Sequence, residues 1–467
     1  MLFSSMTFLF AFLPVTLILY FLAKDRYRNY ILLVASLIFY AWGEPKYILL
    51  MILSIVFNYL MALRIDRNRK RNKRKKFDLI LAVVVNIGAL FVFKYLNFAV
   101  DNINYAFGFN INSPDLVLPI GISFYTFQIL SYVIDVYRRK VKTQKNIFTL
   151  GTYIALFPQL IAGPIVRYET IEKQLEKREH SIERFCDGFR RFIVGFGKKV
   201  LIANNVAILA DAVFNNPTSI ALNPWIIMLG LLAYTLQIYY DFSGYSDMAI
   251  GLGKIFGFDF DENFNYPYSA TSITDFWRRW HISLTTWFRD YLYIPLGGNR
   301  CSKIKWVRNF FIVWLLTGLW HGASWNYVLW GLFYAVILLI EKQFLGKYLA
   351  RLPKLIAWAL TFAVVNFGWL LFRVESLSDL KHVFSGWVHP QGSLAEFLGE
   401  NFSAVPSLIF MVIGLILMFP LAKNLAGRVA KHPWGRAVVD VILIAILGIG
   451  IMALVSSAYN PFIYFRF

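Results

Sequence analysis

Charge and cysteine are what this 467-residue chain has least of. Only 16% of its residues are charged, and it has two cysteines. An average soluble domain is roughly 25% charged. Cys186 and Cys301 lie far apart, and neither belongs to a CxxC pair or a Cys/His pattern, so neither a disulfide nor a zinc site is expected. No long polar linker divides the chain, and no internal repeat is visible, which weakens the case for many secondary-transporter folds. There is no GxSxG elbow, no P-loop and no HExxH. The first apolar stretch lacks a charged n-region and a small-residue cleavage site, so it reads as a retained helix rather than a signal peptide.

The composition is instead 58% hydrophobic and 18% aromatic, and the apolar residues come in blocks. MTFLFAFLPVTLILYFLA, YILLMILSIVFNYLMAL and DVILIAILGIGIMALVSSA each approach the roughly 20 residues that cross a bilayer. The expectation is one all-α polytopic membrane domain over residues 1–467, with the lipid bilayer as its first partner. The net charge of +20 sits in short loops beside apolar spans, the positive-inside pattern. The extreme run, 64–76, suits the cytoplasm and anionic lipid. No aromatic residues interleave with it, so nucleic acid is not an expected partner.

The basic loops set an expected topology. Lys24, Arg26 and Arg28 after the first span put the N-terminus outside. Later spans end near Gly43, at the 64–76 run, and at a neutral loop, 98–114. The chain then returns to Arg138, Arg139 and Lys140. Residues 147–166 are apolar but broken by Pro158 and Pro164, with basic residues on both flanks, which predicts a re-entrant or broken helix. Residues 242–305 mix short apolar pieces with Gly, Pro, Asn and paired charges. They read as short amphipathic helices and re-entrant turns on the cytoplasmic side. A hairpin at 309–340, a span at 355–372, an outer loop at 373–403 and spans at 404–421 and 437–457 follow. The tail, 458–467, is then outside, like the N-terminus. Asn58, Asn86, Asn366 and Gln128 fall within spans and read as interhelical hydrogen-bonding groups.

One histidine stands out. His321 lies in TGLWHGASWN, between FFIVWLL and YVLWGLFYAVILLI. An intramembrane imidazole is a functional-site hypothesis by default, and histidine suits proton transfer near neutral pH. A core histidine bonded to a backbone carbonyl is the competing reading. His281, after Trp277-Arg278-Arg279-Trp280, could join it at one site or be an interfacial histidine among arginines. The other four histidines read as solvated. Asp241-Phe242-Ser243-Gly244-Tyr245-Ser246-Asp247 offers carboxylates and hydroxyls at a helix break, where a capping turn is the simpler reading.

The residues also carry a resemblance. Its carriers are PIGISFYTFQ at 119–128, FPQLIAGPIVR at 157–167, YDFSGYSDMAIGLGKIFGF at 240–258, NFNYPYSATSITDFWRRWHISLTTWFRDYLYIPLGGNR at 263–300 and GLWHGASWNYVLWGLFYA at 318–335, and the likeness covers nearly the whole chain. They resemble the membrane-bound O-acyltransferase superfamily. The likeness is to its bacterial branch around the alginate O-acetyltransferase membrane subunit, and more distantly to teichoic-acid D-alanyl transfer proteins. The resemblance implies roughly 10–12 spanning helices plus re-entrant and interfacial helices around a central tunnel in the bacterial plasma membrane. It implies His321 as the catalytic residue and His281 as the second polar residue. No cofactor is expected to be bound; acetyl-coenzyme A would be the thioester donor. Arg278, Arg279 and Arg289 would meet its phosphates or, equally, lipid headgroups. Asn326 or His281 would support the imidazole or an oxyanion. The hexapeptide Phe462-Ile463-Tyr464-Phe465-Arg466-Phe467 resembles a motif whose tyrosine is proposed to carry the acyl group, which makes Tyr464 a carrier candidate or, alternatively, an interfacial anchor. An extracytoplasmic acetyltransferase partner and a polysaccharide acceptor would complete the system. D-alanyl transfer, a polysaccharide transporter or flippase, and a non-catalytic scaffold are the alternatives.

Overall fold

The structure, a computed structural model, describes residues 1–114, 116–215, 223–456 and 462–463, all but the side chain of Ser403 among them. Every regular element among the described residues is a helix. Among the described residues, seven helices are long and apolar enough to cross a membrane: Ile48–Arg67, Asn72–Lys94, Ile182–Phe214, Pro224–Ile255, Trp325–Leu349, Lys354–Arg373 and Gly435–Ser456. The bent pair Ser407–Leu417 and Leu421–Val429 makes an eighth if counted as one span. The all-α polytopic class is as expected. The count falls below ten to twelve because several apolar segments are short or broken. Phe8–Leu22 is one of the shorter ones. By residue, the chain forms two compact units, Met1–Phe192 with Met248–Glu262, and Ile193–Asp247 with Asn263–Phe467.

In the first unit the helix Ile122–Arg138 is the core element. Every residue from Ile122 to Val133 is buried, as befits a helix enclosed on all sides. The break expected within 147–166 is present. Helix Ile147–Ala155 stops at Leu156, and a single turn, Phe157–Leu160, follows with Pro158 inside it. The freed backbone is satisfied by protein: Phe157 N–H donates to Ser36 Oγ (3.0 Å) and the Tyr153 hydroxyl to Val166 O (3.0 Å). That is the condition for irregular backbone away from water. Asn58 and Asn86 exchange amide hydrogen bonds of 3.0 and 2.7 Å between neighbouring helices. Gln128 differs from expectation. It is fully buried, and its side-chain amide has no hydrogen-bond partner among the described residues. The segment read as a neutral loop at 98–114 begins inside a helix, Leu96–Phe107, which ends on Gly108 at φ 69°. Its sequence is polar enough to hide a short helix, and the left-handed glycine is the C-terminal stop.

In the second unit the largest correction concerns residues 241–247. They form no break or capping turn but lie inside the 32-residue helix Pro224–Ile255, with Asp241, Ser243, Ser246 and Asp247 all buried. Polar residues survive mid-helix because partners on the Ile182–Phe214 helix meet them: Lys199 lies 2.7 Å from Asp241 and Lys198 2.7 Å from Asp247. Gly244 makes this possible. A Cβ there would stand 2.7 Å from the Gly195 carbonyl oxygen. Beyond residue 262 the expected short helices appear, at Ile273–Arg279 and Ile282–Phe288. Within the expected span at 404–421 the helix is Ser407–Leu417, and a second helix, Leu421–Val429, follows it at 69° where a basic loop was expected, because Pro420 cannot continue the first. Asn366 accepts from the Thr235 hydroxyl at 2.8 Å, an interhelical bond of the expected kind. Helix Gly435–Ser456 is largely uncovered by the rest of the protein. Val441, Ile444 and Met452 stand exposed on it, a surface fit for lipid.

Candidate active site

The site forms within the second unit, and glycine packing builds it. Helices Lys303–His321 and Trp325–Ile340 form a hairpin whose backbones nearly touch. A Cβ on Gly318 would lie 2.2 Å from Tyr327 O, and one on Gly331 2.4 Å from Trp314 O. Small residues at a helix crossing allow this approach. His321 is the last residue of its helix, 5% exposed. Its ring centroid lies 5.1 Å from Trp330 and 5.2 Å from Phe372, both edge-to-face.

His281 comes from the irregular segment. It precedes helix Ile282–Phe288 with φ 44° and ψ 54°, a left-handed conformation that is unusual and costly for a residue with a Cβ. The surroundings hold it there. Ile282 N–H donates to Asn263 O (2.9 Å), and Ser283 N–H and its hydroxyl both donate to Asn263 Oδ1 (3.2 and 2.8 Å). Asn263 Nδ2 donates to Ser246 Oγ at 3.0 Å. These bonds fix which end of the Asn263 amide is oxygen. His281 Nδ1, 3.1 Å from that oxygen, therefore carries the proton, and Nε2 carries the lone pair. Burial pushes the His281 imidazole down to about 3, so it is neutral throughout the physiological range.

The two histidines meet around one indole. Trp320 lies 5.7 Å from the His281 ring and 5.1 Å from the His321 ring, centroid to centroid. Phe242 closes the other side of His281 at 4.6 Å. The result is a pair of buried imidazoles in an aromatic shell, a setting from which bulk water is excluded and in which polar interactions are strengthened.

The other expected residues fall at varied distances from this centre. Asn326 is buried in the first turn of the second hairpin helix, and its Nδ2 donates to Phe372 O at 3.4 Å. It thus adjoins His321 through Phe372. Arg278 and Arg289 are exposed. Arg279 pairs with Asp275 (3.0 Å) and Arg289 with Asp290 (2.7 Å). These arginines belong to the surface rather than to the aromatic shell. Tyr464 lies outside the described residues. Sequence reasoning missed Asn263, which orients His281, and Glu341, whose carboxylate accepts from Ile273 and Thr274 N–H (2.7 and 2.9 Å) and so caps the Arg278-bearing helix. Asn263 had a signal, since it opens the NFNYP motif. Glu341 had none beyond being an acid at the end of an apolar run.

Residues 138–375, about half of the chain and including both histidines, match the model of the membrane-bound O-acyltransferase family. The chain belongs to that family. It is an O-acyltransferase and a multi-pass membrane protein. It is similar to the probable alginate O-acetylase of Pseudomonas aeruginosa, at 49% identity over 81% of this chain and 73% of that protein. It matches the probable alginate O-acetylase of Pseudomonas putida at 40% identity over the whole of both chains. The peptidoglycan O-acetyltransferase of Helicobacter pylori is 34% identical over 100% of this chain and 98% of its own. More distantly, the teichoic acid D-alanyltransferase of Bacillus subtilis is 30% identical over 55% of this chain and 69% of its own.

Proposed function

We propose that the protein transfers an acetyl group from a cytoplasmic thioester, acetyl-coenzyme A, to an extracytoplasmic hydroxyl, serving O-acetylation of a cell-surface or exported polysaccharide such as alginate. The observation that carries this reading is the pair of buried imidazoles flanking Trp320 in a member of an acyl-transferring family. Acetyl is favoured over D-alanyl because the relatives at 34% identity and above that align along nearly the whole chain are named for O-acetylation.

In this mechanism neutral His321 accepts the proton of the acceptor hydroxyl as its oxygen attacks the thioester carbonyl. The tetrahedral intermediate collapses, and the thiolate leaves with the proton held on His321. General-base help of this kind is worth about 10²–10⁴-fold. His321 ends its helix, where the last carbonyls contribute roughly 0.3–1 kcal/mol towards a developing positive charge. His281, protonated on Nδ1, offers Nε2 only as an acceptor. Its role is therefore to hold a proton donor, the acceptor hydroxyl or the His321 N–H, rather than to donate to an oxyanion. Asn326 is the candidate donor for the oxyanion.

Arg278, Arg279 and Arg289 serve as the phosphate contacts of the donor. The two ion pairs involved are partly exposed, and exchanging such a pair for a ligand phosphate costs about 0–1 kcal/mol. Tyr464 takes the acyl group as an ester and passes it to an extracytoplasmic acetyltransferase partner. The protein resides in the bacterial plasma membrane with both termini outside.

The test is donor labelling in membrane vesicles, comparing acetyl-coenzyme A with a D-alanyl carrier, in native and His321→Ala protein of equal abundance. Label transferred from acetyl-coenzyme A and lost with His321→Ala is the expected result. Undiminished polymer acetylation in the variant would sink the mechanism, and transfer from the D-alanyl carrier alone would replace the donor.

A further inference from the structure

The described tail residues Phe462 and Ile463 are buried, at 5% and 4% exposure, although the chain on either side lies outside the described residues. What receives them is a charged pair in the middle of the second unit. Asp241 and Lys199 are 1% and 2% exposed, with Lys199 Nζ 2.7 Å from Asp241 Oδ1. The other carboxylate oxygen, Oδ2, accepts the backbone N–H of Ile463 at 2.7 Å. The Phe462 ring packs on Tyr245 (centroids 4.9 Å apart, 31° between planes), and Lys199 Nζ stands 5.8 Å from the same Phe462 ring. Lys199 itself sits in a π-helical stretch, Lys198–Ala203, a local rewinding that often marks functional positions.

A buried ion pair costs more in desolvation than it returns unless its remaining lone pairs are satisfied. Here Oδ2 is satisfied by a peptide 222 residues away. The seated tail satisfies that oxygen with its own backbone. A purely packing role would be met by apolar side chains and a hydrophobic contact. A carboxylate aimed at one backbone N–H instead holds the main chain itself, at the residue covalently joined to position 464.

We infer that Lys199, Asp241 and Tyr245 form a receptor for the tail, and that Asp241 and Lys199 are positioning residues that set where residue 464 begins. The inference rests on the carrier reading of Tyr464 for its functional consequence, but not for the seat itself. Asp241 meets the Ile463 backbone and Lys199 the Phe462 ring.

The experiment uses the full chain with Cys186→Ser and Cys301→Ser, carrying Ile463→Cys as a reporter, since the anchoring bond comes from the backbone. A small maleimide is the probe, in native membranes. Labelling is slow while the tail is seated. It rises at least about tenfold in Asp241→Ala, the factor for losing one hydrogen bond to a charged group. Asp241→Leu with Lys199→Met keeps the site apolar and filled, so it folds even if the single variant does not, and it too labels faster. Unchanged labelling in the folded double variant overturns the receptor. Acetyl transfer is then measured with and without Tyr464→Phe. Loss on Asp241→Ala that disappears in the Tyr464→Phe background supports positioning of a carrier. Fast labelling with undiminished transfer keeps the seat and overturns the positioning role, whereas undiminished transfer in Tyr464→Phe alone overturns the carrier reading and leaves the seat standing.

Discussion

Gly318→Ala tests how far the chemistry depends on the hairpin that carries His321. The new methyl would stand 2.2 Å from Tyr327 O, a backbone atom that cannot swing away, whereas ordinary contact begins near 3.4 Å. The two helices must therefore separate locally by about 1.2 Å, the difference between those distances. Overpacking of this kind costs about 1–3 kcal/mol of stability. The larger effect is on geometry. His321 lies one turn beyond Gly318 on the same helix, and a displacement of about 1 Å in a reacting group costs on the order of 10²-fold in rate. The assay is acyl transfer in membranes, at matched abundance, with thermal unfolding followed in detergent. The control is Gly448→Ala, whose Cβ would meet nothing within 4 Å and which should behave as the native protein. A folded Gly318→Ala protein with native turnover would refute the argument that backbone contact sets the position of the imidazole.

Two further outcomes follow from the buried polar groups. His281 has its folded pKa pushed down from 6.5 to about 3 by burial, so between these values the unfolded chain binds a proton that the folded protein does not. Stability is then fully present above pH 6.5 and declines as pH falls towards 3. The melting temperature should drop more between pH 7.5 and 5.5 in the native protein than in His281→Gln, and equal slopes would contradict it. Asn58→Leu strands the buried Asn86 amide and should destabilise by about 1 kcal/mol, whereas Asn58→Leu with Asn86→Leu should recover most of the loss. A double variant weaker than the single one would show that the pair does more than satisfy itself.

Much of the architecture was legible because a bilayer allows few solutions. Long apolar runs must be helices, and prolines within them must break or end those helices, as at Pro158. His321 was legible for the same reason, since an imidazole between apolar stretches has few innocent explanations. The segment 241–247 was misread because its residue types describe a helix end equally well. Only Lys198 and Lys199, some 40 residues earlier, make those carboxylates tolerable inside a helix. Asn326 and the arginines could be nominated by chemistry, but chemistry alone does not tell a bond to Phe372 O from one to a substrate.

The sequence alone determined the class, the hydrophobic segments, the family and the two histidines, because composition and short-range pattern carry those properties along the chain. Tertiary structure decided what those histidines are. It brought both against Trp320, chose the His281 tautomer through Asn263, and seated Phe462 and Ile463 on Asp241. Each of these depends on contacts between residues far apart in the chain, where close packing and the need to satisfy every buried polar group, rather than local preference, select the partner.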